Sequence, residues 1–236
     1  GYTLLAGSSA WSTGLPAIEG RSKGIDDFSP VCRINYSPTI LIARPDAPFK
    51  TFKEMMEWIK ANPGKLTAAN PGPWTPPDVV WKYLMKVTGT SFKSVPFQGG
   101  GEALVALLGG HVDAATAIPS MAMPYKTTGK FTFLLFLDEK RHPDFPDMPT
   151  SIEEGLDRGM ITMGSAWRGI LVPKGTPAPI VESLAVAFKK MTEDKSVQSI
   201  LQQYGEKIYF LGPDEFRKVW QTEYEGYREL GKLYKK

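Results

Sequence analysis

The residues able to do chemistry in this chain are few and scattered. Cys32 is the single cysteine. A catalytic thiol needs a lowered pKa and a nearby base. Cys32 lies in the apolar run Val31 to Ile34 with no histidine near it in sequence, so core packing is the expectation. The two histidines, His111 and His142, lack the H-x-x-x-H and H-E-x-x-H spacings of a metal site. Ser8 in Gly7-Ser8-Ser9 and Ser165 in Gly164-Ser165-Ala166 do not match G-x-S-x-G, the strained elbow that exposes a nucleophile. Glu153 and Glu154 are adjacent, so on a helix they point to different faces and form no acid/base pair.

What remains is backbone chemistry. Gln98-Gly99-Gly100-Gly101 follows an expected strand and opens an expected helix, the setting in which free N–H groups gather around an anion. The run is not G-x-G-x-x-G, and no Lys-Ser/Thr pair follows it as in a nucleotide-binding P-loop. A tight turn that needs glycine accounts for it equally well. Asn70-Pro71-Gly72-Pro73-Trp74-Thr75 occupies a similar strand-to-helix position. There Thr75 caps the helix, and Trp74 either lines a cleft or packs. Trp167 carries the same two readings.

The elements that must position these residues follow from patterning. Tyr2 to Ala6 reads as a buried strand ended by Gly7-Ser8-Ser9, and Val31 to Ile34 and Thr39 to Ala43 as two more. Thr51 and Glu54 form a T-x-x-E capping box for a helix over Thr51 to Ala61, with Phe52, Met55, Met56 and Ile59 on one stripe. Strand, small-residue loop and helix then alternate. The strands are Leu66 to Ala69, Phe92 to Phe97, His111 to Ile118 (ending at Pro119) and Phe131 to Leu137. Helices are expected from Pro76, after Gly101 and over Ser120 to Thr127. Beyond the proline-rich stretch Pro143 to Pro149 come a strand at Ser165 to Val172, a helix burying Ile180 to Met191, and a helix from Val197 to Tyr204 ended by Gly205. A strand at Ile208 to Leu211 and a helix over Pro213 to Tyr234 finish the chain. The alternation predicts an α/β fold with largely parallel sheets.

Composition narrows the function classes. The chain has 236 residues, enough for one large or two small domains, and a formal net charge of +3 with no Lys/Arg run longer than two. That is no footprint for nucleic acid. No apolar stretch approaches the length of a membrane span. One cysteine permits no intrachain disulfide.

Several segments together resemble the solute-binding proteins of tripartite tricarboxylate transporters, the Bug/TctC family. They are Gly1-Tyr-Thr-Leu-Leu5, Lys60-Ala-Asn-Pro-Gly-Lys-Leu66, Val95-Pro-Phe-Gln-Gly-Gly100 and Leu107-Leu-Gly-Gly-His-Val-Asp113. Further along come Pro146-Asp-Met-Pro-Thr150 and Trp167-Arg-Gly-Ile-Leu-Val-Pro-Lys-Gly-Thr-Pro177. Each is weak alone; their order and spacing make the match specific. The resemblance implies a periplasmic binding protein of the type II-like fold, with two lobes joined by crossing strands. One lobe would comprise residues 1–46 and 168–236, the other 47–167. It further implies capture of a small organic acid without enzymatic turnover or cofactor, in the periplasm, and delivery to a membrane permease. Family ligands are held by backbone N–H groups and small polar side chains. The matching positions are Ser8, Ser9, Asn70, Gly72, Trp74, Thr75, Gln98, Gly99 and Gly100, with Pro119 and Trp167 beside them.

Two departures from the family pattern stand out. Members usually carry a further strand, glycine-rich loop and helix before the segment that opens this chain, so the first strand and helix of lobe one are expected to be missing. An exposed sheet edge or apolar face is then expected, with a risk of association. Second, Pro71, Pro73 and Trp74 replace the small residues usual in that loop, which implies a smaller, more aromatic or chemically different ligand. The alternatives are a phosphate- or nucleotide-using enzyme, for which Gln98 to Gly101 is the best feature, and a sensor or non-binding remnant of the family.

Overall fold

The computed structural model describes residues 3–20, 24–203 and 206–234. The Tyr2 end of the first expected strand and the Tyr204-Gly205 helix end lie outside those residues. The strands are β1 (Leu5–Ser8), β2 (Phe28–Ser37), β3 (Ile40–Ala43), β4 (Thr67–Asn70), β5 (Lys93–Pro96), β6 (Ala114–Ala117), β7 (Thr132–Phe136), β8 (Ala166–Pro173) and β9 (Lys207–Leu211). The α-helices are α1 (Leu15–Glu19), α2 (Phe52–Ala61), α3 (Pro76–Thr88), α4 (Gly100–Leu108), α5 (Pro119–Ala122), α6 (Arg158–Gly164), α7 (Ala178–Thr192), α8 (Lys195–Gln203) and α9 (Pro213–Tyr234). A π-helical turn, Ala10–Gly14, joins β1 to α1.

Two compact units result. The first is Gly1–Ser37 with Ala166–Lys236; the second is Pro38–Ser165. The sequence reading put the boundaries after 46 and 167. They fall earlier because β3, an all-buried Ile-Leu-Ile-Ala strand, is hydrogen-bonded on both sides within the second unit, to β6 and β7.

The first unit carries a four-stranded sheet in the order β1-β8-β2-β9. Its strand pairs are antiparallel, against the expectation of parallel sheets. The reason is connectivity: the chain leaves the unit along β2 and returns along β8, and these pair from Phe28 opposite Pro173 to Ser37 opposite Ala166. Trp167, Leu171, Phe216 and Trp220 fill one core cluster, and Val31, Cys32, Val172, Val181 and Ala185 another. Gly169 is required where the strands meet α9. A Cβ there would lie 2.6 Å from the Cys32 carbonyl oxygen and 2.8 Å from the Phe216 ring. Burial pushes the Cys32 thiol up to about 11, partly offset by a backbone hydrogen bond at Ile170, so it is not a nucleophile at neutral pH.

The second unit carries a five-stranded sheet in the order β5-β4-β6-β3-β7. β4 runs parallel to β5 and β6, while β3 is antiparallel to its neighbours β6 and β7. α2 begins where the sequence places it. Glu54 N–H donates to Thr51 Oγ1 at 3.1 Å, and Glu54 Oε2 accepts from Thr51 N–H at 3.3 Å, so both halves of the capping box are present. α6 has no counterpart in the sequence reading. Its cap is Asp157, which accepts from Gly159 N–H and Met160 N–H and is tied to α3 by the Tyr83 hydroxyl.

Candidate functional site

The candidate residues fall into two groups, one in each unit. In the second unit, the parallel strands β4, β5 and β6 bring their C-terminal ends to one edge of the sheet. Such an edge is where open α/β sheets hold ligands. The loop Asn70 to Thr75 leaves β4, Gln98 to Gly100 leaves β5, and Pro119 follows β6. The first two loops are tied together, since Phe97 N–H donates to the Asn70 carbonyl at 2.9 Å. At the third, a Cβ on Gly100 would sit 2.7 Å from the Met121 thioether.

These loops differ sharply in their donors. At the start of α4, the N–H groups of Gly99, Gly100 and Gly101 have no partner among the described residues. A Cβ on Gly99 or Gly101 would meet nothing within 4 Å, so space over the helix end is open. The only acid in the first turn is Glu102, an exposed side chain whose Oε2 accepts from Gln98 N–H at 3.2 Å. This end presents unclaimed N–H groups and the positive end of a helix dipole.

At the start of α3 the donors are already committed. Of residues 71–77, Pro71, Pro73, Pro76 and Pro77 have no N–H. The other three bond inside the loop: Gly72 to Asn70 Oδ1 at 2.9 Å, Trp74 to Asp78 Oδ2 at 2.8 Å, and Thr75 to the Gly72 carbonyl at 3.4 Å. Thr75 was expected to cap the helix; its hydroxyl instead donates to the Gly72 carbonyl at 2.8 Å. Asn70, fully buried, gives its amide to Asp78 Oδ1 at 3.0 Å and Ser94 Oγ at 2.8 Å, so it organises the loop and has no donor left for a ligand.

Asp78 is the residue the sequence reading missed. It is 1% exposed and sits in the first turn of α3. Its carboxylate accepts from Trp74 N–H, Asn70 Nδ2, Ser94 Oγ and Lys82 Nζ. Those four donors match the roughly four lone-pair sites of a carboxylate. The available signal was the spacing Thr75-x-x-Asp78, the same acid-at-third-position pattern recognised at Thr51-x-x-Glu54.

In the first unit, Ser8 ends β1 opposite Arg168, and Ser9 is the residue just before the π-helical turn. Ser9 is fully buried, and its Oγ accepts from Trp167 N–H at 3.1 Å. It is a latch between β1 and β8. Trp167 is buried too, edge-on to Phe216 and Trp220, and its indole Nε1 donates to Glu223 Oε2 at 2.5 Å. Its side chain belongs to the core and not to a cleft. Pro119, buried at the first position of the four-residue α5, lacks an N–H and starts that helix. Among the described residues there is no group of three His, Cys, Asp or Glu side chains placed to hold a metal. No described helix is long and apolar enough to cross a membrane.

The family model for the tripartite tricarboxylate transporter family receptor, TctC, matches residues 1–231. The chain belongs to this family. Among curated relatives, the UPF0065 protein in the gbd 5' region of Cupriavidus necator is 34% identical over 80% of this chain. The alignment spans 58% of that relative's length. A TctC solute-binding protein from Polaromonas, solved without ligand, superposes with a TM-score of 0.83 at 28% identity, covering 98% of this chain and 78% of that one. MatC from Rhodopseudomonas palustris, solved with bound malate, gives 0.78 at 26% identity, over 97% and 79% of the two chains. The fold is therefore that of the family's periplasmic binding proteins, and the family is one of solute receptors, not enzymes.

Proposed function

We propose that this protein captures a small organic carboxylate in the periplasm and hands it to a membrane permease of the tripartite tricarboxylate type. The observation that carries the reading is the set of unclaimed glycine N–H groups at Gly99 to Gly101, at the parallel-strand edge of a TctC-family unit. Backbone donors at a helix start bind an anion without a cationic side chain, which suits a chain of net charge only +3. MatC, with its malate, shows that a receptor of this fold holds a carboxylate.

A thermal-unfolding screen of the whole chain against mono-, di- and tricarboxylates tests this. A true ligand at 100 times its Kd stabilises by about 2.7 kcal/mol. Gly101→Glu sets a competing carboxylate over the same donors, and it raises helix propensity, so the unliganded protein keeps its stability. That variant is expected to bind at least roughly tenfold more weakly, because a hydrogen bond to a charged group contributes about 1.5–3 kcal/mol. An unmoved midpoint across the whole panel overturns the proposal.

A further inference from the structure

We propose that the first unit carries a further anion site, a basic cavity that takes a phosphate group. The cavity has a volume of about 620 Å³, within the range of small-molecule sites, and is lined by α9 and by the end of the β2–β8 pair where Phe28 faces Pro173. Three cations line it: Lys174, just past β8, and Arg217 and Lys218 on α9. Among the described residues none of these three side chains has an ion pair, hydrogen bond or ring contact. Asp26 is the acid in the lining. Asp27 beside it is engaged in its own turn, accepting from Gly24 N–H at 3.1 Å, and Asp214 and Glu215 lie in the first turn of α9 outside the lining. Three gathered cations against one acid leave a positive potential in a concave site, which concentrates anions.

The frame that holds the cations is fixed. Ile25, also in the lining, is buried in one cluster with Trp167, Leu171, Phe216 and Trp220. Lys174 N–H donates to the Asp27 carbonyl at 2.8 Å, so the chain leaving β8 is tied to the chain entering β2. Arg217 and Lys218 share a face of α9 with Gln221 and Thr222, one turn on. These charges match a phosphate group better than a single carboxylate. A phosphate monoester carries close to two negative charges and three acceptor oxygens. The Arg217 guanidinium can take two of those oxygens in its fork, and the lysines add point charges. The site is also separate from the glycine donors at α4. Those belong to the second unit, and within the first unit β2 runs ten residues, roughly 30 Å, from this cavity to the crossing at Ser37.

Titration calorimetry on the whole chain with inorganic pyrophosphate, at matched ionic strength, tests this. Saturable binding is expected. Arg217→Ala combined with Lys218→Ala should weaken it at least roughly tenfold, because charge-assisted hydrogen bonds are lost. Both residues are exposed and alanine suits a helix, so the variant should keep its melting temperature. Lys189→Ala combined with Lys190→Ala removes the same charge from exposed positions on α7 and should leave binding unchanged. Sedimentation with phosphatidylglycerol vesicles then identifies the source of the phosphate. Retention of the parent protein that the Arg217 and Lys218 changes abolish assigns it to a lipid headgroup; no retention, or retention those changes leave intact, assigns it to a soluble phosphate ester. Absence of saturable pyrophosphate binding overturns the proposal, and so does equal weakening by the two pairs of substitutions.

Discussion

Glu223 shows what a single buried group does to this protein. It lies on α9 within the first unit's core, where its Oε2 accepts from Trp167 Nε1 at 2.5 Å and from Thr13 Oγ1 at 3.1 Å. Its Oε1 has no hydrogen-bond partner among the described residues. Burial pushes its carboxyl up to about 8 from the usual 4.5; the two donors and the Arg33 charge pull the other way and only partly compensate. A raised acid pKa means that the folded state holds a proton the unfolded state releases. The stability linked to that proton is therefore full below about pH 4.5 and is lost as pH rises through about 8. Glu223→Gln keeps one oxygen for the Trp167 and Thr13 donors and removes the titration. Chemical denaturation from pH 5 to 8.5 should show falling stability in the parent protein and a flatter profile in the variant, which should be the more stable near pH 8. Equal slopes would refute this. At the same scale the sequence left Trp167 open between packing and ligand contact. Its neighbours Phe216, Trp220 and Glu223 come from a helix some fifty residues away, and no local pattern names them.

Elements were more legible than sites. α2 was readable to its cap because a capping box is a local contract between Thr51 and Glu54. Thr51→Ala should lower stability by about 1 kcal/mol, read as a shift in denaturant midpoint with an unchanged m-value. Gly169→Ala should cost more than Thr51→Ala, because its Cβ would meet a backbone oxygen that cannot rotate away. α6 escaped notice because its seven residues show no long apolar stripe, and its cap bonds are joined by Tyr83 from a distant helix. The glycine-rich start of α4 and the proline-rich start of α3 occupy similar strand-to-helix positions in sequence. Each start has an acid that accepts from the N–H four residues earlier, but Asp78 is buried on three further donors whereas Glu102 is exposed.

For the whole molecule, the expectation of an exposed edge bears on β1. It stands at the end of the first unit's strand order, with β8 as its partner, and carries Leu5 at 40% exposure close to Leu4 at 39%. Trp11, in the following turn, is 72% exposed. An apolar strand at a sheet edge templates pairing with another chain. Light scattering over a range of concentrations should show self-association of this chain that Leu5→Lys reduces. A monodisperse monomer at high concentration would refute it. The sequence by itself determined the α/β alternation, the capping box of α2 and the ordered family segments. Each of these depends on neighbours within a few residues or on the order of segments along the chain. Only the tertiary structure decided where the units divide, that the first unit's sheet is antiparallel, and that the α3 loop holds an internal carboxylate. Those outcomes depend on strand partners and donors that the chain brings together from far apart, such as β3 between β6 and β7, and Ser94 beside Asp78.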